Sequence, residues 1–119
     1  MTLFRILFYL TIAFVALFAL RRILVMVRGG LSVNDLNELK TKGALIIDVR
    51  TTMEFSGGAA PGSRNIPLDQ LAQRLNELDR TKPIILCCAS GARSASAQRF
   101  LQQAGFTEVF NAGPWQRVV

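Results

Sequence analysis

Histidine is absent from all 119 residues, and cysteine occurs only twice, as the adjacent pair Cys87-Cys88. The first absence removes the Cys-His pair of papain-like enzymes and the commonest metal ligand. The second leaves no disulfide framework and no zinc site. Acid is missing from residues 1–30, which hold four arginines, whereas residues 31–119 hold ten basic and eight acidic residues. The formal charge of +6 is therefore concentrated near the amino terminus. No basic cluster interleaved with aromatics occurs elsewhere, so nucleic acid is not an expected partner. The chain carries no repeat or low-complexity segment, and its length suits one small domain.

What is present begins with ILFYLTIAFVALFAL, Ile6 to Leu20, which has no charge on any helical face. A helix apolar all round has the bilayer as its natural solvent. Fifteen helical residues reach about 22 Å, short of the roughly 30 Å hydrocarbon core. The run ILVMV at Ile23 to Val27 must then contribute, with Arg21 and Arg22 snorkelling toward headgroups. A cleaved signal peptide competes with an anchor, with Arg5 as its n-region. Two arginines stand where small residues would mark cleavage, which favours an uncleaved anchor. Arg5 precedes the span and Arg21, Arg22 and Arg28 follow it, so the positive-inside tendency places the following domain in the cytoplasm. A single-pass protein of a bacterial inner membrane is expected, with anionic lipid as a partner.

Residues 1–30 thus form a transmembrane anchor with a Gly29-Gly30 joint, and 31–119 a separate domain. Ser32 with Asp35 predicts a capped helix. Ala44–Val49 and Ile84–Cys88 are continuous apolar runs that predict buried strands. Leu68, Leu71, Leu75 and Leu78 recur at helical spacing. Ser56–Ser63 is loop, Ser94–Ala104 a helix ended by Gly105, and Thr107–Phe110 a short strand. Strands alternating with helices give an α/β class built on a parallel sheet.

Ligands of such sheets bind at the carboxyl ends of the strands, where Asp48 and Cys88 both fall. A strand-end cysteine also has a plain structural explanation, since free cysteine is often buried. The following segment, Ala89-Ser90-Gly91-Ala92-Arg93, is small, contains glycine and leads into a helix. Its amides, the helix N-terminus and Arg93 together favour an anionic sulfur. Asp48 is expected to cap backbone amides, and Arg50 to pair with Glu54. Arg64 is a candidate attractor of an anionic donor, or a solvated surface arginine.

The segments ALIIDVRTTMEF, PGSRNIPL, CCASGARSASAQRFL and AGFTEVFNAGPW, in this order, resemble single-domain rhodaneses, the sulfurtransferase family, across residues 32 to about 115. The resemblance implies a five-stranded parallel sheet with helices on both faces. It also implies Cys88 as nucleophile, Ala89 to Arg93 as an anion-binding loop, and no metal or organic cofactor. The mechanism so implied moves sulfane sulfur from a small anionic donor such as thiosulfate, through a Cys88 persulfide, to a thiol, a protein or cyanide.

Two alternatives stay open at this stage. Counting from Cys87, five residues precede Arg93-Ser94, the spacing of cysteine phosphatases and arsenate reductases. Leu86 and Ser90 stand where those enzymes usually carry histidine and glycine, which favours the Cys88 register. Cys87 would otherwise be an accessory residue that resolves a persulfide, or only strand packing. A non-catalytic, membrane-tethered binding module is the other alternative; retention of Cys88 and Arg93 argues against it. The chain departs from the family at Gly58-Ala59-Ala60, where glycine and histidine are common, and at Ala112-Gly113-Pro114-Trp115, where a glycine pair is compressed. A final helix that is missing or frayed is expected.

Overall fold

Five consecutive residues, Ile84–Cys88, are wholly buried and form the centre of the domain. A strand covered on both faces reads as an unbroken apolar run, which is what this segment supplies. The computed structural model describes residues 2–27 and 31–119, and side chains for 2–23 and 31–119. Arg28 and the expected Gly29-Gly30 joint lie outside the described residues. Contacts divide the chain into two units, 1–30 and 31–119.

The first unit is one helix, α1, Leu3–Val27. It runs unbroken through Arg21-Arg22, and Leu3–Ile23 has a mean hydropathy of 2.3. By length and composition it is able to cross a membrane. The Arg22 guanidinium lies 5.1 Å from the Phe18 ring centroid, one turn back.

The second unit is α/β. Helix α2 (Val33–Thr41) starts on the expected capping box: the Asp35 amide donates to Ser32 Oγ and the Ser32 amide to Asp35 Oδ2, both at 3.1 Å. Strand β1 (Leu45–Asp48) follows, then a short helix α3 (Thr52–Ser56), and a two-residue strand β2 (Arg64–Asn65). Strand β3 is Ile84–Cys88, helix α4 is Ala92–Gln103, and strand β4 is Val109–Pro114. The sheet order is β2-β1-β3-β4, with every pair parallel. The described residues therefore form four strands, where the family resemblance implied five. Helix α3 and strand β2 are too short to carry a periodic signal.

The four leucines at 68, 71, 75 and 78 do not make one α-helix. Leu68–Glu77 is 3-10 structure, interrupted at Arg74 (φ −119°, ψ 19°). Leu68 and Leu71 are three residues apart, as are Leu75 and Leu78, which matches the 3-10 repeat. The four-residue step between the two pairs is absorbed near the break at Arg74. Leu71 and Leu78 are buried as the spacing requires.

Alternation along β3 divides the core. Ile84, Leu86 and Cys88 pack with Ile47, Val49, Leu71, Ala97 and Leu101 on one face. Ile85 and Cys87 pack with Leu36, Ala60, Ala112 and Val118 on the other. Each fully buried leucine or isoleucine contributes about 1.5–3 kcal/mol relative to exposure. Among the described residues no α-helix follows β4, in line with a missing final helix, but the segment is not frayed: Trp115–Val118 form a 3-10 turn, Val118 is buried, and Lys40 Nζ donates to its carbonyl oxygen.

Candidate active site

Between the end of β3 and the start of α4 only three residues intervene, Ala89, Ser90 and Gly91. The chain must reverse into a helix within that space, and Gly91 makes this feasible. Its φ is 103°, in the left-handed region open to glycine, and an added Cβ would lie 3.2 Å from Gly113 Cα. Both the torsion and the close approach to β4 call for glycine. A register shift between β3 and β4 at Leu86/Cys87 sets Cys87 opposite Gly113 and Cys88 opposite Pro114.

The turn closes around the Cys88 sulfur. The Gly91 amide donates to Cys88 Sγ at 2.9 Å, and Ser94 Oγ lies 3.3 Å from it. Burial pushes the thiol up. The Ser94 hydroxyl and the amides of Ser94, Gly91 and Ser90 outweigh it and bring the thiol below its ordinary range. A hydrogen bond to the charged form stabilises that form, so these donors favour a thiolate. Of the loop residues singled out from the sequence, Ser90 and Gly91 thus act through backbone amides. Ala89 and Ala92 are small, exposed flanks.

Cys87 is placed quite differently. Its side chain points to the opposite face of the sheet, and its thiol lies 3.8 Å from the Ile47 carbonyl oxygen. Burial first, and the neighbouring Asp48 carboxylate next, push it up to about 12. The loop does not surround this sulfur.

Arg93 stands at the start of α4. Its Nη1 donates to Glu54 Oε1 at 2.6 Å and its Nη2 to Glu54 Oε2 at 2.9 Å. Glu54 is not paired with Arg50, as the four-residue spacing had suggested. Arg50 instead donates through Nε and Nη2 to the buried Asp48 carboxylate. Arg50 Nη2 also donates to the Gly58 carbonyl oxygen at 2.7 Å, and the guanidinium lies 4.9 Å from the Trp115 ring centroid. Asp48 accepts the Arg50 amide at 3.0 Å, so it does cap backbone, but its carboxylate serves the scaffold beside Cys87. Arg64 is exposed on the edge strand β2, and its Nη1 donates to the Glu77 carbonyl oxygen rather than to the loop.

Three residues around the site were not singled out from the sequence: Ser94, whose hydroxyl faces the sulfur, Asn111 beside it, and Glu54 on the rim. Asn111 on β4 donates through Nδ2 to the Gly91 carbonyl oxygen at 3.2 Å, and its Oδ1 lies 2.7 Å from Ser94 Oγ. Its Oδ1 also accepts the Gly113 amide at 2.9 Å, which fixes the orientation of the side-chain amide. Glu54 pairs with Arg93 and does not touch the sulfur. It occupies the third position of α3, where its Oε1 accepts the Thr51 amide and hydroxyl, both at 3.1 Å. The pattern Thr51-x-x-Glu54 was a legible capping box; the reach to Arg93 was not.

A family model described as the rhodanese-like domain matches residues 32–112. The chain belongs to the rhodanese-like family. It is 48% identical to the YqhL protein of Bacillus subtilis over 68 residues, which are 57% of this chain and 54% of that protein. It is 32% identical to the thiosulfate sulfurtransferase GlpE of Ectopseudomonas mendocina over 81 residues, 68% of this chain and 74% of that enzyme. The chain thus spans about half of YqhL and three quarters of GlpE. A crystal structure of a rhodanese-related protein from Thermoplasma volcanium superposes with a TM-score of 0.65 at 32% identity, over 75% of this chain and 88% of that one. The parallel α/β sheet is therefore a rhodanese-like fold, in a version whose described part has four strands.

Proposed function

We propose that this rhodanese-like protein is a sulfurtransferase whose sulfur carrier is Cys88, held at a membrane by α1. The observation that carries the proposal is the convergence of the Gly91 amide and the Ser94 hydroxyl on one sulfur, at the start of α4. Such a cradle stabilises negative charge on a thiolate and then on the outer sulfur of a persulfide. No histidine is needed, because the donors raise the acidity of the thiol directly.

The first half-reaction is attack of the Cys88 thiolate on the outer sulfur of a donor. With thiosulfate the S–S bond breaks, its electron pair leaves on sulfite, and Cys88 becomes a persulfide anion. In the second half-reaction an acceptor thiolate attacks the terminal sulfur. The Cys88–S bond to that sulfur breaks, the acceptor leaves as its own persulfide, and the Cys88 thiolate is regenerated. Cyanide as acceptor leaves as thiocyanate. Each step conserves charge and needs no external oxidant.

Residues 1–30 are assigned as the anchor and 31–119 as the catalytic domain on the cytoplasmic face. The support is the hydropathy of Leu3–Ile23 and the excess of arginine after the span. The full chain in detergent is expected to transfer sulfur from thiosulfate or a persulfide to cyanide or a thiol, and Cys88→Ser to abolish this. Full activity of Cys88→Ser would refute the assignment. Resistance of the chain to alkaline carbonate extraction tests the anchor, and release into the supernatant would count against it.

A further inference from the structure

Resting on that reading, the geometry points to Glu54 as the residue that selects the sulfur donor, disfavouring dianions such as thiosulfate and favouring hydropersulfides of low charge. In the ground state Arg93 offers no free pair of terminal nitrogens to an arriving anion, because Glu54 engages both Nη1 and Nη2. A bidentate, charge-assisted pair is the strongest arrangement an arginine adopts with a carboxylate. The pair is only partly exposed, at 36% for the Arg93 side chain and 37% for Glu54. Neither side chain is free to swing at random, since Glu54 is also tied to the Thr51 amide and hydroxyl.

The surroundings point the same way. A shallow depression beside Arg93 is lined by Val49, Thr51, Pro67, Leu68, Asp69 and Arg93. Three of those residues are apolar, and the one cation among them is already neutralised by Glu54. Asp69 then leaves this depression, which adjoins the loop at Arg93, with more acid than base. A dianion must either displace Glu54 from Arg93 or settle beside two carboxylates. A hydropersulfide R–S–SH meets neither obstacle. Its organic part fits the wall of Val49, Pro67 and Leu68, and only its outer sulfur has to reach the amide cradle. The Cys88 thiolate attacks that outer sulfur, the S–S bond breaks, and R–S⁻ leaves. The proton stays on the transferred sulfur as Cys88–S–SH, so atoms and charge balance.

Rim charges of this kind govern which partner is accepted more than how tightly any partner binds. The test is Glu54→Gln in the full chain in detergent at low salt. Glutamine is accepted at the third position of a capping box, so α3 keeps its start while the carboxylate charge is lost. Thiosulfate and a small alkyl hydropersulfide are compared by kcat/KM, with sulfur on Cys88 read by intact mass. The variant is expected to gain about tenfold in kcat/KM with thiosulfate and to stay within about twofold with the hydropersulfide, a gain that shrinks as salt screens the site. A loss with thiosulfate, or an equal change with both donors, would overturn the selectivity role while leaving the sulfurtransferase reading in place. Absence of sulfur on Cys88 from either donor, in both proteins, would remove that reading and the selectivity role with it.

Discussion

Cys87 and Cys88 are joined by a peptide bond, yet their sulfurs lie on opposite faces of the sheet. Cys88 sits among Ser94, the Gly91 amide and the core under α4; Cys87 sits with Ile85 and Ala112 beneath α2 and the C-terminal turn. Alternation along a strand requires this separation. It also means that the two thiols are shifted in opposite senses: Cys88 is made more acidic, whereas the pKa of Cys87 is pushed up to about 12. Of the two, Cys88 is the one whose surroundings favour the thiolate.

The pH dependence of the reaction follows. The folded Cys88 thiol is more acidic than an unfolded one at its ordinary value of 9.0. The rate of persulfide formation should rise with pH and level off with a midpoint below 9. Thiolate absorbance, corrected with Cys88→Ser, measures the same midpoint. The linked stability is fully present above the unfolded value and is lost as pH falls through the folded one. Ser94→Ala removes the hydroxyl donor and should move the midpoint up; no movement would contradict the role given to that hydroxyl.

Glu54 is held down to about 2, chiefly by its hydrogen bonds from Arg93 and also by the Thr51 amide, against an ordinary value of 4.5. Because the folded value is the lower one, its contribution to stability is complete above pH 4.5 and disappears as pH falls through about 2. Glu54→Gln should flatten the stability curve in that window, as measured by chemical denaturation at several pH values. An unchanged slope would show that the pair with Arg93 does not form in solution.

Gly91→Ala should damage both stability and chemistry. A left-handed torsion costs a non-glycine residue roughly 1–2 kcal/mol. The methyl group would add a 3.2 Å contact with Gly113 Cα that only backbone movement relieves. Loss of the denaturation midpoint together with slower persulfide formation is expected. A loss of stability alone, with Cys88 reacting normally, would show that the loop tolerates the shift.

Asp48 and Arg50 form the buried pair that carries the scaffold beneath the site. Asp48→Ala strands the Arg50 guanidinium, and breaking a buried pair from one side costs about 3–5 kcal/mol. The readout is the midpoint of denaturation at unchanged slope. Reactivity of Cys88 in the fraction that remains folded should be preserved, because neither side chain bonds to the loop.

Much of this was legible beforehand. Ser32 and Asp35 announced a helix start, the apolar runs at β1 and β3 announced buried strands, and the glycine three residues after Cys88 announced a loop built around one sulfur. What escaped was decided by tertiary contacts. Arg50 has Glu54 four residues away and Asp48 only two, and the ion pair goes to Asp48, because both side chains are buried and Arg50 is also held at the Gly58 carbonyl oxygen and the Trp115 ring. Glu54 then turns to Arg93, 39 residues on. The leucines at 68 to 78 carried a helical spacing that two 3-10 turns satisfy equally well. Asn111 gave no signal, since its partners Gly91 and Ser94 are brought to it only by the pairing of β3 with β4.

The most direct test is the intact mass of the full chain in detergent after treatment with a sulfane donor, for the wild type, Cys87→Ser and Cys88→Ser. One added sulfur atom, removed by cyanide or dithiothreitol and missing only from Cys88→Ser, is the expected result. An adduct that survives in Cys88→Ser and vanishes in Cys87→Ser would contradict the placement of the carrier sulfur.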